Sequence, residues 1–351
     1  VTGANPGFLE GWVKRKPVSE QVVVVFGATS GMGLLAALML AERGARLVLA
    51  GRSRGELERV VEQARSRGAE AYAVAADAKE WEQVKSVADE ALARFGRLDT
   101  WVHVASVDEW ALFEDLTPDE YRQIIEVNLL GQVYGAMAAL PVMLHQGEGG
   151  LIHVGSIAGK IPLPLQNPYA AAKHGLTAFV ESLRMELEHY GRPVHITHIL
   201  PMGINTSLFE KARTRMGVQP QPLPPAYSPE EAAKAIVYAV EHPRREIIVG
   251  GTGALYQWLY RLSPRLTQKG MHLIAFSGQK SPQEKSAQAP SNLYEHLDGF
   301  QRVEGEYRHL TRPFSLYTWL ALHPPAAYAL IGGLLAAAGA LVFTRGGAKN
   351  S

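Results

Sequence analysis

Residues 22–33 read Val22-Val-Val-Val-Phe26-Gly27-Ala-Thr-Ser-Gly31-Met-Gly33. Five consecutive apolar residues, four of them β-branched, suit a strand covered on both faces, as in a parallel sheet flanked by helices. The run stops at a glycine-rich turn, and a helix is predicted over 32–43. Glycine lets the chain turn tightly and lets its backbone approach a pyrophosphate, which the positive N-terminus of the next helix attracts. A glycine triplet alone says little, but between a buried strand and a helix it predicts a dinucleotide site. Gly27, Thr29, Ser30, Gly31, Met32 and Gly33 are its candidate residues.

Outward from this turn the same alternation repeats. Strands are predicted at 47–50, 71–75, 100–105, 151–154, 195–200 and 246–249, and helices at 56–67, 80–95, 118–140, 169–190 and 229–241. Serial βα units imply an α/β fold, a doubly wound parallel sheet of the Rossmann-like kind with a C-terminal helical extension. The expected organisation is an N-terminal segment (1–20), a catalytic domain (21–250), a helical extension and linker (251–316), and a membrane anchor with tail (317–351). Within the extension, 278–291 is polar and rich in Ser and Pro, which reads as a flexible linker. Residues 255–265 place Leu255, Trp258, Leu259 and Leu262 at helical spacing, fitting either an interfacial helix or a packed one.

Composition narrows the function classes. The 351 residues contain no Cys, which removes disulfides, thiol nucleophiles and Cys-ligated metal centres. A formal net charge of +1 supplies no basic field for nucleic acid. His103 lacks a second ligand in metal-binding spacing, so no metal is expected. Residues 325–344 carry no charge over twenty positions, about 30 Å of helix and long enough for a bilayer core. The alternative is an apolar helix packed in the core or between subunits.

The second strand ends at Gly51-Arg52, with Arg54 close behind. An acid there would accept from a ribose 2′-hydroxyl, whereas Gly51 leaves room and Arg52 offers a guanidinium to a 2′-phosphate. NADP(H) is therefore the expected cofactor. Further along, Tyr169 and Lys173 stand one helical turn apart, thirteen residues beyond Ser156, with Asn128 upstream. Together with the G-x-x-x-G-x-G turn, this order resembles the short-chain dehydrogenase/reductase family across about residues 20–250. The resemblance implies Tyr169 as general acid/base, Lys173 on the nicotinamide ribose, Ser156 on the substrate oxygen and Asn128 in a water relay. It places Asp77 at the adenine edge, Ala105 beside the adenosine, and Ile204 and Thr206 near the carboxamide. A lysine ammonium beside a phenol is expected to draw its pKa toward neutrality.

Three positions depart from the family pattern. Phe26 stands where Thr is usual, His103-Val-Ala-Ser106 replaces Asn-Asn-Ala-Gly, and Met202 replaces a glycine after Pro201. The departures at Phe26 and 103–106 keep open a nucleotide-binding regulatory protein without turnover, while the glycine spacing disfavours an epimerase of the extended type. Residues 207–230 are expected to cover the substrate, with Leu208, Phe209, Met216, Leu223 and Tyr227 as apolar walls. The expected activity is hydride transfer between NADP(H) and a hydrophobic ketone, aldehyde or secondary alcohol. The resemblance implies a homodimer or homotetramer. The expected location is a membrane, with the catalytic domain facing the cytoplasm, or the soluble cytoplasm if 325–344 packs on protein.

Overall fold

The computed structural model describes residues 15–330, 332 and 333. Seven strands, β1 (Val22–Phe26), β2 (Arg46–Gly51), β3 (Ala71–Ala75), β4 (Thr100–His103), β5 (Gly149–Val154), β6 (Val194–Pro201) and β7 (Glu246–Val249), form one parallel sheet in the order β7-β6-β5-β4-β1-β2-β3. The reversal between β1 and β4 opens a crevice at their carboxyl ends, where ligands bind in such sheets. Every side chain of β1 is buried, because successive residues point to opposite faces and both faces are covered. Val23 and Val25 pack with α1 (Gly31–Glu42), α2 (Arg54–Ser66) and α8 (Pro229–Glu241). Val22, Val24 and Phe26 pack with α3 (Trp81–Phe95), α5 (Gly131–Gln146) and α6 (Asn167–His189).

Between α4 (Pro118–Ile125) and α5 the chain forms a π-helical turn, Glu126–Leu130. Among the described residues, 118–146 is the one helix long and apolar enough for a bilayer, yet half of that apolar stretch lies inside the fold. The predicted span at 325–344 falls largely outside the described residues. Its first part, 325–330, is helical.

Arg15 covers the amino end of β4, opposite the crevice. Arg15 is buried and donates to Thr100 Oγ1 and the Asp99 carbonyl, both at 2.6 Å. Beyond β7 come α9 (Gly251–Leu262) and α10 (Pro264–Gly278). The stretch predicted as a flexible linker is structured: Lys280–Glu284 pairs antiparallel with Val218–Pro220, and Gln279 and Ser281 are buried. Its polarity misleads at Gln279, whose polar atoms are satisfied internally. Gln279 alone accepts from Trp110 Nε1 (2.9 Å) and Gln166 Nε2 (3.0 Å) and donates to the carbonyls of Pro164 and Ala275. Residues 292–302 then cross the carboxyl end of the sheet. α11 (Leu316–Leu322) docks through Thr318, whose hydroxyl accepts from the Gly250 amide at 2.9 Å.

Candidate active site

Two clefts open at the carboxyl ends of the strands and share Met32, Thr206 and Leu208 as a common wall. The larger, about 1020 Å³, follows the glycine turn and includes Thr29, Ser30, Gly31, Arg52, Asp77 and Ala105. Its shape depends on missing side chains. Gly27 has φ +97° and a Cβ there would sit 2.6 Å from the Ala105 nitrogen. A Cβ on Gly33 would reach within 2.2 Å of the Gly27 carbonyl oxygen. The turn is thus held against the β4 loop with Gly31 and Met32, at the start of α1, lining the cleft, a cradle that fits a dinucleotide phosphate. Gly27 and Gly33 shape this cradle, whereas Ile204 lines the neighbouring cleft.

The C-terminal segment also reaches these donors. The Gly31 amide donates to the Arg302 carbonyl at 2.9 Å. Arg52 donates to the carbonyls of Asn292 (2.9 Å) and Tyr294 (3.1 Å). Lys211, at the end of α7 (Leu208–Lys211), donates to Ser30 Oγ at 2.9 Å. None of these contacts was foreseeable locally, since the partners lie about 180 to 270 residues apart in the chain.

Two of the departures from the family pattern explain each other. Phe26 and His103 are register partners on β1 and β4. Their rings stack at 4.8 Å between centroids with an 8° tilt, and Trp101 stacks on Phe26 from 6.0 Å. His103 is fully buried, and that burial pushes its pKa well down, so it packs as a neutral ring. The exchange replaces a hydrogen-bonding pair of positions with an aromatic one and leaves the crevice open.

The smaller cleft, about 700 Å³, contains Ser156 and Tyr169. Lys173 stands one turn after Tyr169 on α6, its Nζ 5.4 Å from the phenol ring centroid and donating to the Val154 carbonyl at 3.1 Å. Ser156 ends the β5 loop; its Oγ accepts from the Ala158 amide at 3.1 Å and its side chain hydrogen-bonds Tyr169. Burial pushes the Tyr169 phenol above its ordinary value and the Asp108 carboxyl adds to this, while the bond to Ser156 partly offsets both. Burial also lowers Lys173, from 10.5 to about 8, with Asp108 opposing. The expectation that Lys173 draws Tyr169 toward neutrality is therefore corrected: desolvation dominates, and the phenol rests protonated.

The Asn128 side chain is engaged with the loop after β4. Its Oδ1 accepts from Ser106 Oγ (3.0 Å) and the Val107 amide (2.9 Å), and its Nδ2 donates to the Val107 carbonyl (2.7 Å). It fixes the β4 loop that carries Asp108, from within the π-helical turn. Asp108 itself, absent from the sequence expectations, is almost fully buried and forms part of the cleft wall. Burial raises its pKa well above the usual carboxylate range. Met202, Ile204, Leu208, Phe209 and Leu223 supply the apolar wall. Met216 packs instead beside Trp110 and Phe209, and Tyr227 in the main core. Gln279 completes the polar end from the C-terminal extension.

A family model described as short chain dehydrogenase matches residues 21–217. The chain is 36% identical over 330 residues to an uncharacterized oxidoreductase, YxnA, of Bacillus subtilis, covering 93% of this chain and 92% of that one. It is 30% identical over 252 residues to dehydrogenase/reductase SDR family member 7B of Danio rerio, covering 69% and 81%. Among solved structures, a short chain dehydrogenase/reductase from Burkholderia phymatum in complex with NAD matches with TM-score 0.65 at 24% identity, over 72% of this chain and 96% of that one. An alcohol dehydrogenase from the archaeon Thermococcus sibiricus, complexed with 5-hydroxy-NADP, matches with TM-score 0.57 at 25% identity, over 65% and 95%.

Proposed function

This chain belongs to the short-chain dehydrogenase family and is an oxidoreductase, and from that premise we propose that it transfers hydride between NADP(H) and a hydrophobic ketone, aldehyde or secondary alcohol. The observation that carries the reading is the shared wall: a cleft suited to a dinucleotide adjoins an apolar cleft that contains Ser156 and Tyr169. Gly51 and Arg52 at the end of β2 support NADP(H) over NAD(H), since no acid stands there to repel a 2′-phosphate.

When bound, the nicotinamide supplies or accepts the hydride. The chain's own groups manage the oxygen. Ser156 orients the substrate oxygen, and Tyr169 delivers its phenolic proton to that oxygen as the carbonyl π bond breaks. In alcohol oxidation the proton returns to Tyr169. A phenol kept protonated by burial holds the proton that carbonyl reduction consumes. The Lys173 ammonium stabilises the phenolate left behind, and Asn128 holds the loop beneath them.

The chain's location belongs to the same proposal: a membrane anchor near the C-terminus, with the catalytic domain facing the cytoplasmic NADPH supply. Supporting it, Trp258, Leu262, Leu266 and Leu273 on α9 and α10 are 58%, 64%, 69% and 79% exposed. A homodimer or homotetramer is supported by exposed Met137 on α5 and Met185 on α6. The test is NADPH oxidation by membrane fractions against hydrophobic carbonyls, with Tyr169→Phe as comparison. Tyr169→Phe is expected to lower kcat by at least about 10²-fold with cofactor affinity kept; a turnover rate equal to the unaltered protein's excludes Tyr169 as the proton donor.

A further inference from the structure

Lys211 lies outside the motifs that carry the family resemblance. It lines the dinucleotide cleft beside Arg52, and its Nζ reaches the glycine turn at Ser30 Oγ, 2.9 Å away. The carboxylates that act on it are engaged elsewhere. Glu56 meets His296 Nε2 at 2.8 Å, and Glu210 pairs with Arg302. Desolvation, with repulsion from Arg52, lowers Lys211 from 10.5 to about 8. Two cations drawn into one cleft, neither with a carboxylate of its own at ion-pair distance among the described residues, make a place for an anion.

The C-terminal segment builds this arrangement deliberately from both sides. The Asn292 amide donates to the Lys211 carbonyl at 2.9 Å, and Lys285 Nζ donates to the Ala212 carbonyl at 2.7 Å, pinning the end of α7. The carbonyls of Asn292 and Tyr294 take two N–H groups of Arg52, leaving about three of the usual five for a ligand. We propose that Lys211 and Arg52 together seat the ribose 2′-phosphate of the cofactor, framed by residues 292–302. The proposal rests on the NADP(H) reading above. A phosphate monoester carries about two negative charges at neutral pH, which two cations match, whereas each phosphate of the pyrophosphate carries one and faces the helix amides.

Calorimetric titration with 2′,5′-ADP and with 5′-AMP separates the two ideas without relying on turnover. The unaltered protein is expected to bind 2′,5′-ADP at least about 10-fold tighter than 5′-AMP. Lys211→Met is expected to lose about 10- to 100-fold for 2′,5′-ADP and less than about 3-fold for 5′-AMP. Lys211→Arg restores the preference, since it keeps the charge. Equal affinity of the unaltered protein for both ligands overturns the NADP(H) reading and the seat with it. A retained preference in the unaltered protein, with Lys211→Met losing nothing or losing equally on both ligands, overturns the Lys211 assignment alone. Should Lys211→Met fail to fold, Lys211→Gln, which keeps a hydrogen bond to Ser30, carries the same comparison.

Discussion

In Lys173, activity and stability are expected to move in opposite directions with pH. Its ammonium is 1% exposed and burial lowers it from 10.5 to about 8. Between those two values the unfolded chain holds the proton more tightly than the folded one, so stability rises with pH across that window. The full difference amounts to about 3 kcal/mol. Reduction runs the other way, because the ammonium is what steadies the Tyr169 phenolate. Roughly nine in ten Lys173 side chains are charged at pH 7 and about one in ten at pH 9. Initial rates of carbonyl reduction should therefore fall about tenfold per pH unit above pH ~8. Tyr169 adds no second limb there, its pKa being pushed the other way. The assay pairs those rates with urea unfolding in the same buffers. Lys173→Met keeps most of the stem and removes the charge; it should cost at least about 10²-fold in kcat while leaving stability at neutral pH equal or higher. An alkaline limb near pH 10, or a loss above about 2 kcal/mol in Lys173→Met, would refute the assignment and make Lys173 a structural cation instead.

Asp99→Asn should destabilise by about 3 kcal/mol in urea unfolding; burial opposes its charge, but hydrogen bonds from Arg97, Lys16 and the Val22 amide prevail and hold it low. Its contribution is present above the ordinary carboxylate pKa and is lost as pH falls through the depressed value, so an acid limb unchanged by the substitution contradicts the reading. Gln279→Ala should raise KM about 5- to 10-fold with kcat held within about 3-fold, since it ties Trp110, Gln166 and Pro164 around the cleft rather than touching the reacting atoms; an unchanged KM removes it from the substrate wall. Phe26→Thr, which installs the family residue, should cost about 2–4 kcal/mol by deleting the ring stacked on His103, and a neutral result in thermal unfolding dissolves the pairing of those two departures.

Local information carried most of the fold. The β1 run and its glycine turn were readable because burial on both faces demands continuous apolar residues and because only glycine tolerates φ +97° at position 27. Ser156, Tyr169 and Lys173 were readable because they sit on consecutive elements with fixed spacing. Asn128 was readable as a position but not as a contact, since its partner Val107 lies 21 residues away across a loop. Asp108 left no local signal; one carboxylate beside Glu109 looks like a solvated turn until the fold buries it. The direction of the Tyr169 shift was missed for a related reason. Spacing places an ammonium near the phenol, but only packing decides whether desolvation outweighs it.

The stretch after β7 illustrates the same limit more sharply, because its polarity serves packing rather than solvation. Gln279 fills all four of its hydrogen bonds inside the protein, so one residue of the stretch read as a linker is among the least solvated. Both clefts borrow a wall from beyond Gly250, through Gln279 on the substrate side and residues 292–302 on the dinucleotide side. The boundary at 250 marks where the βα pattern ends, and packing crosses it: Thr318 accepts the Gly250 amide, and Glu231 on α8 accepts the Ser315 amide at 3.0 Å. Loop-closure entropy grows only slowly with length, so a few such contacts suffice to hold the extension against Arg52, Lys211 and the cleft around Tyr169.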